Sequence, residues 1–141
     1  MVFKPESIRE RLKRLEEVIA RLEKHQGVSR EAFLLDMELQ WIVERGFILA
    51  AECVADVAGH ILSGKYMIHP VDQESAIHGL RAQGVISIEL FSKLRGLGGF
   101  RNILVHQYLR VDPARVHEFL KAGLDPLREF IAQTTLWLAS T

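Results

Sequence analysis

A long apolar segment, from about Ser29 to Leu62, constrains the fold more than any other part of the chain. Its apolar residues fall on more than one side of a helix, and they are Phe33, Leu34, Leu35, Met37, Leu39, Trp41, Ile42, Val43, Phe47, Ile48 and Leu49. A helix that is hydrophobic nearly all round lies at the centre of a bundle or is shared with a partner. We therefore expect one long central helix that starts after Ser29 as its N-cap and is ended by Gly64.

The segments before and after this one also have helical spacing. A first helix begins at Pro5, and its apolar residues recur in steps of three and four: Ile8, Leu12, Leu15, Ile19 and Leu22. A short helix follows Asp72 as its N-cap and ends near Gly84, after which helical spacing resumes over 85–94. Strand-like alternation is scarce.

The C-terminal part is helical as well, because Asp112-Pro113 has the order of an N-cap and a first helical residue. Asp125-Pro126 repeats this order, so the last helix is kinked or split. No internal repeat or domain boundary interrupts the pattern. The sequence predicts a single domain over residues 1–141, folded as an all-α antiparallel bundle of about five helices.

Composition excludes several classes of protein. Eighteen Lys and Arg balance eighteen Asp and Glu, so a protein that coats a polyanion is not expected. Cys53 is the single cysteine, which rules out an intramolecular disulfide or a multi-cysteine zinc site and suits a reducing compartment. No secretory signal and no charge-free apolar run of about eighteen residues is visible, so we expect a cytoplasmic protein without a membrane span.

Residues 101–108 place four chemically capable side chains around an apolar centre. On a helix, Asn102 and His106 share one face, and Arg101 and Tyr108 share another. The two faces lie roughly 130° apart at about 100° per residue. One ligand can therefore touch all four side chains only in a groove that wraps the helix, or where a second subunit closes over it.

These residue types suit cleavage of a phosphodiester. Arg101 can hold a phosphate with its planar guanidinium, and His106 can move a proton near neutral pH, as attack by a 2′-hydroxyl requires. Between positions 81 and 110, five Lys and Arg face only Glu89, which makes this part of the chain positive. The scheme requires no metal and no cofactor. By spacing alone, however, such a set is most often a group of surface residues.

Polar residues on the central helix are the next candidates. Glu44 and Arg45 either lie near the groove around residues 101–108 and support Arg101 or His106, or form a buried pair that fixes helix packing. Glu52, Asp56 and His60 share a face and could bind a metal, although a hydrogen-bonded stripe is the expected arrangement. Asp56 with His60 could support the site. The remaining histidines, among them His25, His69, His78 and His117, are predicted to be surface groups, and Trp41 and Trp137 to be core or dimer-interface anchors.

Residues 101–108 resemble the Arg-x4-His-x-Tyr signature of HEPN-domain proteins, specifically the HepT-like toxins. Residues 40–45 resemble the family's Glu-Arg segment on a long second helix, and 56–61 its Asp-x3-His segment. Residues 79–86 and 99–100 are also similar to this family. The likeness spans roughly residues 5 to 138.

The resemblance implies a specific function. HepT-like proteins are helical homodimers whose two signatures line a shared cleft, and they are generally metal-independent endoribonuclease toxins. Their partner is a nucleotidyltransferase, the MNT antitoxin, which transfers AMP to the signature tyrosine. Carried over to this chain, Arg101 binds the scissile phosphate, His106 is the general acid and base, and Asn102 orients. Tyr108 contacts RNA and accepts AMP.

Two other functions remain open at this point. Some HEPN proteins are substrate-binding companions of nucleotidyltransferases and cleave nothing. A helical dimerisation domain without a ligand is the third alternative. The intact set Arg101, Asn102, His106 and Tyr108 favours the enzyme, because a companion has no need of all four.

Overall fold

The computed structural model describes residues 3–95 and 112–141, and these form seven helices with no strand among them. The helices are α1 (Pro5–Glu23), α2 (Arg30–Leu34), α3 (Met37–Tyr66), α4 (Gln73–Ala82), α5 (described over 88–95), α6 (Pro113–Ala122) and α7 (Leu124–Ala139). The predicted all-α bundle is confirmed, with more helices than the expected five or so.

Helix α3 is the centre of the bundle and packs against α1, α2, α4 and α6. Its buried residues are Val43, Phe47, Ala50, Ala51, Val54, Val57, Ala58, Ile61 and Leu62. By length and hydropathy alone α3 could cross a membrane, since one 18-residue window has a mean hydropathy of 1.4. The four helices packed around it account for that apolar character, as expected for a central core helix.

Most neighbouring helices run antiparallel. Arg11 of α1 reaches Asp56 of α3, while Phe3, just before α1, lies beside Gly64 near the end of α3. Helix α7 returns along α1 in the same way, and α5 along α7. Helix α4 is different: its first residue, Gln73, donates to the Ala51 carbonyl at 3.0 Å, and Gly79 abuts Leu62, so α4 runs in the direction of α3.

The predicted helix from Ser29 to Leu62 is wrong as a single element, because it breaks before Asp36. Ser29 does cap a helix, but that helix is the short α2. The Asp36 side chain then accepts from the Leu39 N–H at 3.0 Å and starts α3. The Gln40 amide donates to the Phe33 carbonyl at 2.9 Å and so satisfies the end of α2. Two caps within one apolar run divide it into two helices.

The predicted end of the central helix at Gly64 is also wrong. Helix α3 continues to Tyr66, and Met67 closes it with a left-handed φ of 56°. A side chain at Gly64 would place its Cβ 3.0 Å from the Cα of Phe3. The glycine therefore permits close packing of the N-terminal segment, and it does not stop the helix.

The C-terminal part is split into two helices as predicted, but the split falls at a different residue. Asp112 caps α6 through the Ala114 N–H at 3.0 Å, with Pro113 in its first turn, as expected. The break falls at Gly123, and Pro126 lies within the first turn of α7. A proline is tolerated there, because the first N–H groups of a helix have no partner within it.

Candidate functional site

The four signature residues, Arg101, Asn102, His106 and Tyr108, lie outside the described residues. Their position in the fold is bounded on both sides. Helix α5 leads into residues 96–111, and α6 follows them from Asp112. The candidate residues that the structure does describe are the polar residues of α3, and a cluster on α4 and α5 is considered beside them.

Glu44 and Arg45 do not form the buried pair that the sequence left open. Glu44 is half-buried, and desolvation raises the pKa of its carboxyl above 4.5. Arg45 is exposed, and no ion pair joins either residue to a described part of the chain. Consecutive residues of a helix point about 100° apart, so the two side chains leave α3 in different directions.

Arg45 lines a mainly apolar groove of about 410 Å³ between α1 and the first half of α3. Trp41 and Ile42 form part of its wall and are 62% and 53% exposed, while Arg14 and Arg21 contribute from α1. Trp41 is thus not a core residue. Trp137, in contrast, is half-buried and contacts the Phe3 ring edge-on at 5.8 Å between centroids.

Asp56 and His60 lie near each other, with Arg11 as an additional partner that the sequence did not indicate. The Arg11 Nε donates to Asp56 at 3.1 Å, whereas the His60 Nε2 is 4.0 Å from the same carboxylate. Arg11 also donates to the Ser7 carbonyl at 3.0 Å. These contacts tie α3 to α1.

The four supporting residues of α3 do not converge on one point. Glu44 and His60 are separated by roughly 24 Å of helix at 1.5 Å per residue. Glu44 and Arg45 therefore belong to one region of α3, and Asp56 and His60 to another.

No group of three or more His, Cys, Asp and Glu side chains is placed to hold a metal ion in the part of the chain that the structure describes. Glu52 and Asp56 line a shallow depression of about 330 Å³ together with Gln73. The Gln73 amide is already used by the Ala51 carbonyl.

Two histidines have partners that the sequence did not predict. His117 is buried on α6, and its Nε2 is 2.9 Å from the Val28 carbonyl. His78 of α4 stacks on Phe91 of α5, with 5.0 Å between ring centroids. His117 was predicted to be a surface group and is buried, so that prediction is wrong, whereas His78 is exposed as predicted. The available sequence signal was helical spacing, because residues three or four apart, such as 78 and 81 or 91 and 95, are neighbours on one face of a helix.

Two arginines also lie against the Phe91 ring. The Arg81 Cζ lies 5.4 Å from its centroid and the Arg95 Cζ 5.6 Å from it. Glu74 is an acidic neighbour of Arg95, with its Oε1 3.8 Å from the Arg95 Nε. We call His78, Arg81, Phe91 and Arg95 the Phe91 cluster. It lies on α4 and on the described part of α5.

Known proteins share this fold over nearly the whole chain. The structure of YutE from Bacillus subtilis, described as a cytosolic protein of unknown function, has a TM-score of 0.84 at 21% identity, covering 99% of this chain and 94% of that one. A tri-AMPylated HEPN toxin of Shewanella oneidensis, solved in complex with an MNT antitoxin, has a TM-score of 0.83 at 22% identity, with coverages of 92% and 96%.

Sequence comparison gives the family. A tRNA nuclease HepT of Aphanizomenon flos-aquae (strain 2012/KM1/D3) is 27% identical over 136 residues, covering 96% of this chain and 92% of that protein. A family model described as ribonuclease HepT-like matches residues 9–134. That range includes the signature and all the candidate supporting residues. The chain therefore belongs to the HepT-like ribonuclease family, and the enzyme class expected from its sequence, a ribonuclease, is confirmed.

Proposed function

We propose that this protein is a metal-independent endoribonuclease toxin of a HEPN/MNT toxin–antitoxin module, acting in the cytoplasm. One observation carries the proposal: the Arg101-x4-His106-x-Tyr108 signature is intact within the range that the HepT-like model matches. The tRNA nuclease name of the Aphanizomenon relative supports RNA as the substrate. The cytosolic description of YutE supports the location.

The proposed reaction uses the 2′-hydroxyl of the RNA itself. Its oxygen attacks the adjacent phosphorus and forms a new P–O2′ bond, while the P–O5′ bond breaks. His106 takes the proton from the 2′-hydroxyl as general base and, as general acid, returns a proton to the leaving 5′-oxygen. Arg101 holds the phosphate and offsets the charge that builds up on it, and Asn102 orients the reacting groups.

A homodimer gives this reaction its geometry. The two faces of the signature lie roughly 130° apart on a helix, so a cleft shared by two chains can use residues that a single chain could not bring to one phosphate. Exposed apolar residues lie just before α3 and in its first turns, and a second copy of the chain could cover them. They include Leu35, Met37, Trp41 and Ile42. Several exposed apolar side chains close together are typical of an interaction surface, whereas single ones are common on any protein.

The polar residues of α3 take a supporting role in the proposal. Glu44, half-buried with a raised pKa, and its neighbour Arg45 act from the first half of the helix. Asp56 and His60 act from the second half, where Arg11 holds Asp56. Their distance from one another suits two separate contributions to an extended RNA-binding cleft.

An MNT-type nucleotidyltransferase is the proposed antitoxin, and Tyr108 is the proposed acceptor of AMP. The AMP-modified state and MNT complex of the Shewanella toxin support this partner. The Tyr108 oxygen would attack the α-phosphorus of ATP, forming a phosphodiester and releasing pyrophosphate. The added phosphate brings negative charge to a site built for the phosphate of RNA, so it both blocks and repels the substrate.

Intact mass measurement tests the module and its site together. We expect the protein expressed with its nucleotidyltransferase to gain whole AMP units on Tyr108 and to lose RNA cleavage. The Tyr108→Phe variant, expressed in the same way, should gain none at that position. If the wild-type protein has the same mass when expressed with and without the nucleotidyltransferase, and the unmodified protein cleaves no RNA, the chain is instead a non-catalytic companion of a nucleotidyltransferase.

A further inference from the structure

The Phe91 cluster brings two arginines together with a single carboxylate, Glu74, paired to them among the described residues. Two guanidinium groups approach one aromatic ring, at 5.4 Å for Arg81 and 5.6 Å for Arg95, and His78 stacks on the same ring. Guanidinium groups are attracted to aromatic faces, which explains how Phe91 can hold them. Like charges that converge in this way also favour an anionic ligand.

The hydrogen-bonding capacity of the cluster is not used up. The Arg81 Nε is shielded from water and has no hydrogen-bond partner among the described residues. A shielded donor without an acceptor costs free energy, and rotation of the Arg81 side chain toward a phosphate would remove that cost. Arg95 has one acidic neighbour, Glu74, at 3.8 Å, and both side chains are more than half exposed. That long, solvated pair can be exchanged for a stronger acceptor.

We propose that the Phe91 cluster binds a backbone phosphate of the RNA substrate other than the scissile one. The inference rests on the proposed function, since it assigns a further subsite to the same ribonuclease. Arg81, Arg95 and Arg101 all belong to the positive part of the chain between positions 81 and 110. Phe91 already stacks on His78, and its role is therefore to fix the cations rather than to stack on a base.

The first test measures RNA binding as a function of salt. Fluorescently labelled tRNA is titrated with protein in an His106→Ala background, which prevents cleavage during the measurement. We expect Arg81→Gln and Arg95→Gln each to weaken binding about fivefold at 0.1 M salt. Each should also reduce the slope of log K against log salt by about 0.7 to 0.9, the value for one phosphate contact. The control is Arg9→Gln, which removes an exposed cation from α1.

The second test predicts the opposite sign. Glu74→Gln removes the carboxylate that competes with RNA for Arg95, so it should strengthen tRNA binding about two- to threefold. Glu6→Gln is the matched control, because Glu6 pairs with an exposed arginine, Arg9, at 2.6 Å on α1. Both variants change the net charge equally. A general effect of charge would strengthen binding in both, whereas the proposed subsite predicts it for Glu74→Gln alone.

The outcomes separate this inference from the proposed function. If the wild type cleaves tRNA, but Arg81→Gln and Arg95→Gln bind it as Arg9→Gln does, the subsite is wrong and the ribonuclease stands. If the wild type neither binds nor cleaves tRNA, the proposed function fails and the subsite with it. Thermal melting checks each variant, and Arg95→Gln decides the test if Arg81→Gln does not fold, because Arg95 is exposed.

Discussion

The two sides of α3 use charged residues differently. On the α1 side, two arginines are matched by carboxylates: Arg9 with Glu6 at 2.6 Å, and Arg11 with Asp56 at 3.1 Å. On the α4–α5 side, Arg81 and Arg95 share one ring, and among the described residues Glu74 is the one carboxylate that pairs with either of them. A chain with no net charge can therefore still carry a positive surface. We propose that the α4–α5 side contacts RNA, whereas the Arg11–Asp56 pair on the α1 side joins two helices.

Loss of the signature histidine should have the largest effect. His106→Ala removes the proposed general acid and base, so we expect the rate of RNA cleavage to fall by about 10² to 10⁴. His69→Ala is the control, because His69 is an exposed histidine near Ser63 at the end of α3. Cleavage rates under single-turnover conditions check both variants. Equal rates for His106→Ala and the wild type would remove the signature from the mechanism.

Two glycines allow the two sides of α3 to be perturbed separately. A Cβ at Gly46 would lie 2.5 Å from the Leu22 side chain of α1, and one at Gly79 2.8 Å from the Leu62 side chain of α3. Replacement by alanine should cost about 1 to 3 kcal/mol in overpacking, against a helix-propensity gain of about 1 kcal/mol. Chemical denaturation measures this free energy of unfolding.

The RNA affinity of these folded variants then sharpens the comparison. Gly79→Ala shifts α4 and should weaken tRNA binding, whereas Gly46→Ala should leave it unchanged. Gly59→Ala is the stability control, since nothing lies within 4 Å of its added Cβ and the helix should gain stability. Equal losses of affinity in Gly46→Ala and Gly79→Ala would contradict the division of roles.

Glu44 should show a conflict between stability and function. Its carboxyl has a pKa raised by burial, so the folded chain holds the proton more tightly than the unfolded chain does. Stability therefore falls as the pH rises through the interval above 4.5, and Glu44→Gln should raise the melting temperature at pH 7.

Below pH 4.5 the gain from Glu44→Gln should disappear, because the carboxyl is then protonated in both states. Glu10→Gln, at an exposed position on α1, is the control variant. If Glu44 supports the cleft, the same variant cleaves RNA more slowly despite its higher melting temperature. Faster or unchanged cleavage would remove Glu44 from the proposed site.

The smallest effect is expected at the Arg11–Asp56 pair. Asp56→Asn breaks a solvent-accessible contact and should cost about 0.2 to 1 kcal/mol of stability. Because Asp56 is tied to α1, we expect cleavage to change less than about threefold, measured against Glu17→Gln, which loses a 3.9 Å contact with Arg14. A tenfold loss of activity would move Asp56 from a supporting role into the site itself.

Local sequence signals predicted much of the fold. The periodic apolar residues of α1, the caps at Asp72 and Asp112, and the split of the last helix all depend on residues close together in the chain. The break at Asp36 was missed because apolar residues continue on both sides of it. A capping aspartate and an exposed helical aspartate look alike until the backbone is known.

Features set by tertiary contacts could not be predicted in this way. Gly64 could end a helix or admit a close neighbour, and only the position of Phe3 decides between them. The Phe91 cluster joins two helices, and the sequence showed only its excess of charge. The signature was found because its residues are adjacent in the chain, whereas the Arg11–Asp56 contact joins residues 45 positions apart.

Cleavage of tRNA in the presence of a chelator tests the central claim most directly. The wild-type protein, free of AMP, is incubated with tRNA and EDTA beside His106→Ala, and the ends of the fragments are analysed. Attack by the 2′-hydroxyl predicts fragments that end in a 2′,3′-cyclic phosphate and begin with a 5′-hydroxyl, formed by the wild type only. Cleavage that EDTA abolishes, or that His106→Ala retains at the wild-type rate, would contradict the account.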